Sequence, residues 1–110
     1  MEALDKFYAL SAPIRREIIS LLSSGDQLTA TKISEKFQVS PSAISQHLKI
    51  LLNSDLLNMH KHAQQRIYQI NSDAIKELES WASQIVNSLE DIGGLIEGAG
   101  DQPLTDGANK

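Results

Sequence analysis

The sequence predicts a mainly α-helical chain with a two-stranded β-hairpin, and three observations lead to this fold class. Apolar residues recur at helical spacing in five segments, which is the pattern of helices that bury one face. Between the fourth and fifth segments, residues 57–70 contain good strand formers instead. The chain has 110 residues, 41% of them hydrophobic, which suffices for one core and is too short for a second.

The first two predicted helices lie near the start of the chain. Residues 2–10 carry apolar side chains at helical spacing. Pro13 suits the first turn of a second helix, where its missing N–H costs nothing. The apolar stripe of that helix consists of Ile14, Ile18, Leu21 and Leu22. We expect Arg15, Arg16 and Glu17 on its other, polar side.

Two further helices are predicted in the middle of the chain. Thr29 or Thr31 can cap a short third helix. Ser40 then precedes Pro41, and an N-cap residue followed by proline is a strong signal for a helix start. The expected buried stripe of this fourth helix is Ile44, Leu48 and Leu51. Two helices joined by three residues, 38–40, make a helix–turn–helix.

A hairpin and a long helix complete the predicted domain. Residues 57–62 and 66–70 are predicted strands joined by a three-residue turn, and their hairpin forms a wing beside the helix–turn–helix. A fifth helix is predicted for residues 72–89. Five of the six glycines follow it. We therefore expect a winged helix–turn–helix domain in residues 1–92 and a flexible C-terminal tail in residues 93–110.

The fourth helix and the wing together predict a DNA-binding surface. The second helix of a helix–turn–helix lies in the major groove, with its N-terminal residues at base edges. Gln46 can pair with adenine through two hydrogen bonds, and Ala43 can contact a thymine methyl. Lys49, one turn later, is placed to reach phosphate. The predicted DNA-binding residues are Ser40, Ser42, Ala43, Ser45, Gln46 and Lys49 in the helix–turn–helix and Lys61, Gln65 and Arg66 in the wing.

The distribution of charge agrees with a phosphate-binding face. The whole chain has a formal net charge of -4. Residues 30–70 nevertheless carry five basic residues against two acidic ones, a net charge of +3, whereas the rest of the chain carries five basic and twelve acidic residues. A local positive excess is what contact with a phosphate backbone requires.

Composition argues against several other classes of protein. The chain has no cysteine, which excludes disulfides, thiolate metal sites and cysteine catalysis. No signal peptide is visible, and no run approaches the roughly 18 apolar residues of a membrane helix, so we expect a cytoplasmic protein without a membrane partner. No catalytic arrangement of titratable residues stands out, so no enzyme is expected. His60 and His62 share a strand face, but two ligands without a carboxylate make a poor metal site, so neither a metal nor another cofactor is expected.

Three segments resemble the ArsR family of bacterial repressors. LSAPIRREIISLL is similar to that family's opening signature, KISEKFQVSPSAISQHLKILLNSDLL to its helix–turn–helix, and RIYQIN to its outgoing wing strand. The resemblance implies a repressor that binds double-stranded DNA at an inverted-repeat operator as a homodimer, dimerising through its first and last helices. It also implies that His47 lies on or beside the reading helix, which is the predicted fourth helix that would contact the bases. The dimerisation residues expected from it are Leu4, Phe7, Leu78, Trp81, Ile85 and Leu89.

The chain departs from the ArsR pattern in two places. The family's wing turn usually contains glycine, whereas Ala63 and Gln64 stand here. Its metal-sensing members use thiolates or a set of Asp and His residues on the last helix, and this chain lacks Cys and has no His in that helix. The effector is therefore open, another protein being one candidate. The alternative function is a winged-helix adaptor that binds protein without specific DNA binding, which predicts an apolar or acidic recognition helix.

Overall fold

The computed structural model describes residues 4–95 of the chain, and only the backbone of residues 94 and 95. The elements in chain order are α1 (Lys6–Ala9), α2 (Pro13–Leu22), β1 (Leu28–Thr29), α3 (Ala30–Phe37), α4 (Pro41–Asn53), β2 (Leu57–His62), β3 (Gln65–Ile70) and α5 (Ser72–Leu95). They divide into two compact units, Met1–Ile75 and Lys76–Lys110. The first unit contains the helix–turn–helix and the sheet, and the second contains most of α5.

Side-chain caps define the starts of α3 and α4. The predicted N-cap of α4 is confirmed, because Ser40 Oγ accepts a hydrogen bond from the Ala43 backbone N–H at 3.2 Å. At the start of α3, the Lys32 backbone N–H donates to Thr29 Oγ1, also at 3.2 Å. Thr29 rather than Thr31 is therefore the cap of α3. Each cap satisfies one backbone N–H that has no partner inside its helix.

The first helix is shorter than the predicted range of residues 2–10. Asp5 Oδ1 accepts from the Phe7 backbone N–H at 2.7 Å, so the helix begins at Lys6 and ends at Ala9. Residues 2 and 3 of the predicted helix lie outside the described part of the chain. A local cap thus begins this helix several residues later than the apolar spacing predicts.

The three strands form one antiparallel sheet in the order β1–β3–β2. The predicted hairpin of β2 and β3 is confirmed, but its turn is one residue shorter than predicted because Gln65 pairs with His62. The two-residue turn begins at Ala63, whose φ is 57°, a conformation that glycine adopts more easily in such turns. The short strand β1 was not predicted. It adds a third strand by pairing Leu28 with Tyr68.

The core of the first unit lies among α2, α3, α4 and the sheet. Its fully buried large apolar side chains are Ile18, Leu22, Ile33, Ile44, Leu48, Leu51, Leu56 and Leu57. The predicted buried stripe of α4 is therefore confirmed. The prediction that Arg15 lies on the polar side of α2 is wrong, because this residue is only 7% exposed. Two backbone carbonyls and an imidazole surround its guanidinium, and such hydrogen-bond partners make the burial of a charge tolerable.

The helix α5 is longer than predicted, and most of its large apolar side chains that the structure describes are exposed. It ends at Leu95 rather than at residue 89, so the predicted tail begins at Gly93 inside the helix. Residues 96–110 of that tail lie outside the described part of the chain. In α5, the large apolar side chains that are 42% to 60% exposed are Trp81, Ile85, Val86, Leu89 and Ile92. No helix among residues 4–95 is long and apolar enough to cross a membrane.

Candidate nucleic-acid interface

The face of α4 opposite its buried stripe is polar and exposed. Ser42, Ser45, Gln46 and Lys49 line one surface groove there, and all four side chains are exposed. Because residues three and four apart share a face of a helix, burial of the apolar stripe presents this second set of side chains outward. The serines are short, so the helix backbone can approach a nucleic-acid groove closely, and the other two side chains can reach farther.

A second groove lies between α4 and the wing. Ser45 from α4 lines it together with Thr31 from α3 and with Gln65 and Arg66 from β3. The structure therefore brings α4 and the wing to a single surface, which is the arrangement that contact with one DNA duplex requires. The sequence predicts Thr31 only as a possible helix cap. Its position at this groove could have been inferred from the two threonines near the start of α3, since only one of them can cap that helix.

Lys61 and Arg66 lie opposite each other in the wing. They are direct partners in the register of β2 and β3, and both side chains are exposed. Directly opposite residues of an antiparallel pair project to the same face of the sheet, where like charges repel each other. A phosphate placed between them would relieve this repulsion. The pair therefore suits contact with an anionic backbone, although Lys61 lines neither of the two grooves.

Three predicted DNA-binding residues of the helix–turn–helix line neither of the two grooves. Ser40 Oγ is occupied as the cap of α4, and Ala43 is half-buried. His47 is also half-buried, and its Nδ1 lies 3.2 Å from Nη1 of Arg15. Burial and, secondly, the positive charge of Arg15 lower the pKa of His47 from its ordinary value of 6.5. His47 is therefore neutral near pH 7 and adds no positive charge to the interface.

The two wing histidines occupy alternate positions of β2. His60 and His62 are both exposed, and their spacing places them on one face of the strand. Among residues 4–95, no three His, Asp or Glu side chains come together as a ligand set for a metal ion. The pair alone offers fewer protein ligands than either a structural or a catalytic zinc site uses.

One family model matches a segment that contains α4, and two sequence relatives each match more than half of the chain. Residues 12–59 match the family described as bacterial regulatory protein, arsR family. The chain is 36% identical over 81 residues to the transcriptional repressor SdpR of Bacillus subtilis (strain 168), which covers 74% of this chain and 89% of that protein. It is 39% identical over 64 residues to the arsenical resistance operon repressor of Staphylococcus xylosus, which covers 58% of this chain and 61% of that protein.

A solved structure shows the same fold. An ArsR-like transcriptional regulator from Rhodococcus sp. RHA1 superposes with a TM-score of 0.64 at 25% sequence identity. The match covers 84% of this chain and 90% of that one, which extends well beyond the helix–turn–helix. The residues, the fold and the relatives therefore agree, and the chain belongs to the ArsR family of bacterial regulatory proteins.

Proposed function

We propose that this chain represses transcription by binding an inverted-repeat operator as a homodimer. Its family consists of DNA-binding transcriptional regulators, which are not enzymes, and the two sequence relatives are named as repressors. The chain is accordingly a DNA-binding transcriptional regulator with a winged helix–turn–helix fold. The observation that carries the proposal is the exposed polar face of α4, which shares one surface with the wing.

In the proposed complex, α4 enters the major groove and the wing contacts the backbone beside it. Gln46 donates and accepts hydrogen bonds at the edge of an adenine, and the Ser42 and Ser45 hydroxyls serve several bases. Lys49 binds a phosphate one turn farther along the helix. Arg66 of the wing contacts phosphate or the minor groove, where basic side chains fix the position of the protein on the duplex.

The exposed face of α5 supports the proposed homodimer. Five of its large apolar side chains recur at helical spacing and are exposed, and a contiguous apolar patch of this kind is typical of an interaction surface. The other proposed dimerisation residues are Leu4 and Phe7, which are exposed, and Leu78, which is half-buried. A two-fold dimer with its reading helices about 34 Å apart would contact successive turns of one DNA face. This symmetry explains why the proposed operator is an inverted repeat.

The outer face of α4 argues against the adaptor alternative. A winged helix that binds another protein through this face needs an apolar or acidic patch, since fold alone does not decide function. The face instead presents two serines, a glutamine and a lysine. This composition suits the donor and acceptor pattern of base edges and the charge of phosphate.

Fluorescence anisotropy tests the proposal with the DNA immediately upstream of the protein's own gene, against a scrambled duplex, across a salt series. We expect tighter and steeply salt-dependent binding to the upstream DNA. Gln46→Ala should weaken specific binding by about 1–3 kcal/mol and leave binding to the scrambled duplex almost unchanged, because it removes a base contact. The matched variant Lys49→Ala should weaken binding to both duplexes, because it removes a phosphate contact.

Two results would contradict the proposal at different levels. Equal losses of affinity on both duplexes for Gln46→Ala would show that this side chain does not read bases. If the protein enriched no sequence from a library of fragments that includes the upstream DNA, the repressor function itself would be wrong.

A further inference from the structure

A buried latch, formed by Arg15 and His47, connects α1 to the reading helix. Arg15 Nε donates to the Ala9 carbonyl oxygen at 2.6 Å. Its Nη2 lies 3.5 Å from the Tyr8 carbonyl oxygen, also in α1. On the other side, Nη1 of Arg15 lies 3.2 Å from Nδ1 of His47, in the middle of α4. One guanidinium, itself only 7% exposed, therefore joins the two helices.

The positive charge of Arg15 has no carboxylate partner in this latch. In the described part of the chain, its hydrogen-bond partners are two carbonyl oxygens and one imidazole nitrogen. The Tyr8 ring adds a cation–π contact, with its centroid 5.6 Å from the guanidinium carbon. These hydrogen bonds use one donor on each of the three guanidinium nitrogens, and none of the partners neutralises the charge. Since arginine is not deprotonated in proteins, His47 lies beside a permanent buried cation.

The chemistry of arginine determines the state of the His47 ring. A guanidinium has donors only, so Nδ1 of His47 must accept the hydrogen bond through its lone pair. The ring proton then resides on Nε2, and the imidazole is neutral. A second proton on Nδ1 would set two N–H groups and two positive charges against each other at 3.2 Å. Protonation of His47 therefore breaks the latch.

Among residues 4–95, no carboxylate is hydrogen-bonded to Arg15 or His47. The elements that pack most extensively against α4 are α1, α2, α3 and β2. From α2, Arg15 faces His47, and Tyr8 of α1 lies beside Arg15. Of the other charged or histidine side chains on these elements, Lys6 of α1 is half-buried. The rest are exposed, and they are Arg16, Glu17, Lys32, Glu35, Lys36, His60, Lys61 and His62. Burial and Arg15 are the causes that lower the pKa of His47.

We infer that Arg15 is a positioning residue, which holds α4 in its DNA-reading orientation through neutral His47, so that a proton on His47 weakens DNA binding. The inference rests on the proposed function, because it concerns the same reading helix. His47 follows Gln46 directly in the chain, so loss of its anchor alters the presentation of the adjacent base-reading side chains. Arg15 itself is buried and acts through His47 rather than on DNA.

The sign of the expected pH dependence follows from the lowered pKa of His47. In the intact latch, His47 binds a second proton more weakly than an ordinary histidine, whose pKa is 6.5. The contribution of the latch to DNA binding is therefore complete above pH 6.5. It is lost as the pH falls from that value through the lower pKa of His47.

The test measures the dissociation constant for DNA between about pH 8 and about pH 5.5, across the range where histidine changes its charge. Its background is the double variant His60→Gln/His62→Gln, which leaves His47 as the only histidine in the sequence. In this background we expect acidification to weaken binding by about fivefold or more, the usual size of coupling between two sites. Adding His47→Asn should abolish this loss, because the Asn carbonyl can accept from Arg15 without titrating.

A second variant and a measurement on free protein separate the latch from general damage to the fold. Arg15→Lys cannot reproduce the forked donor geometry, so it should lower DNA affinity at about pH 8 and reduce the acid-dependent loss. Circular dichroism establishes whether each variant remains folded. In the protein without DNA, imidazole nitrogen chemical shifts should show His47 as the neutral tautomer with its proton on Nε2.

The possible failures are distinguishable. If His47→Asn retains the same acid-dependent loss, or if the free protein carries the His47 proton on Nδ1, the inference is wrong while specific DNA binding stands. If the protein prefers no DNA sequence at any pH, the proposed function fails. The tautomer measurement does not depend on the folding of the His47→Asn variant, because it is made on protein that retains His47.

Discussion

The helices α4 and α5 have similar apolar spacing but different surroundings. In α4 the apolar stripe of Ile44, Leu48 and Leu51 is fully buried, because α2, α3 and β2 pack against this helix. In α5 the stripe that contains Trp81 and Leu89 is about half-exposed. Helical spacing therefore predicts that a helix has an apolar face, but it does not predict what covers that face. The stripe of α4 thus belongs to the core of the first unit, whereas the stripe of α5 is exposed and carries the proposed dimer interface.

The largest expected effect compares one leucine from each stripe. Leu48→Ala should lower the free energy of unfolding by about 2–5 kcal/mol, because it removes a fully buried side chain and leaves a cavity. Leu89→Ala, at a side chain that is 60% exposed, should cost well under that amount in dilute protein. Urea unfolding at low protein concentration measures both changes. Equal losses for the two variants would show that the stripe of α5 is already covered under those conditions.

A smaller effect is expected on self-association. Trp81→Ala should weaken the proposed homodimer by about 2 kcal/mol or more, the usual contribution of a tryptophan at the centre of an interface. Sedimentation velocity over a range of concentrations measures the change. Asn87→Ala is the matched control, because Asn87 is exposed and lies outside the apolar stripe. A dimer that is unchanged by Trp81→Ala would remove this residue from the interface.

The parts of the fold that the sequence predicts best depend on local signals. Ser40 before Pro41 predicts the start of α4 because the cap and the helix are neighbours in the chain. The strand β1 has only two residues, and its pairing partner Tyr68 lies about 40 residues later, so no local pattern predicts it. The helix α1 begins later than predicted because the side chain of Asp5 caps it at Lys6.

The candidate site also has one part that the sequence predicts and one part that it does not. The exposed set of Ser42, Ser45 and Gln46 is predictable, because it is what remains when the apolar stripe of α4 faces inward. The burial of Arg15 is not predictable from spacing, because it depends on carbonyls of α1 and on His47, which is 32 residues away. An arginine in an amphipathic helix is ordinarily assigned to the polar side. Tertiary hydrogen bonds override that assignment here.

The smallest expected effect concerns Gly93 near the end of α5. A Cβ placed on this glycine meets no atom within 4 Å, so Gly93→Ala should raise helix stability by up to about 1 kcal/mol through its better helix propensity. Thermal unfolding measures this gain, and sedimentation of the same variant reports on the dimer. A gain with unchanged association would place Gly93 outside the interface. If the variant instead weakens the dimer, a second copy approaches the backbone at this glycine, and the surface that the proposed dimer covers extends to the last turn of α5.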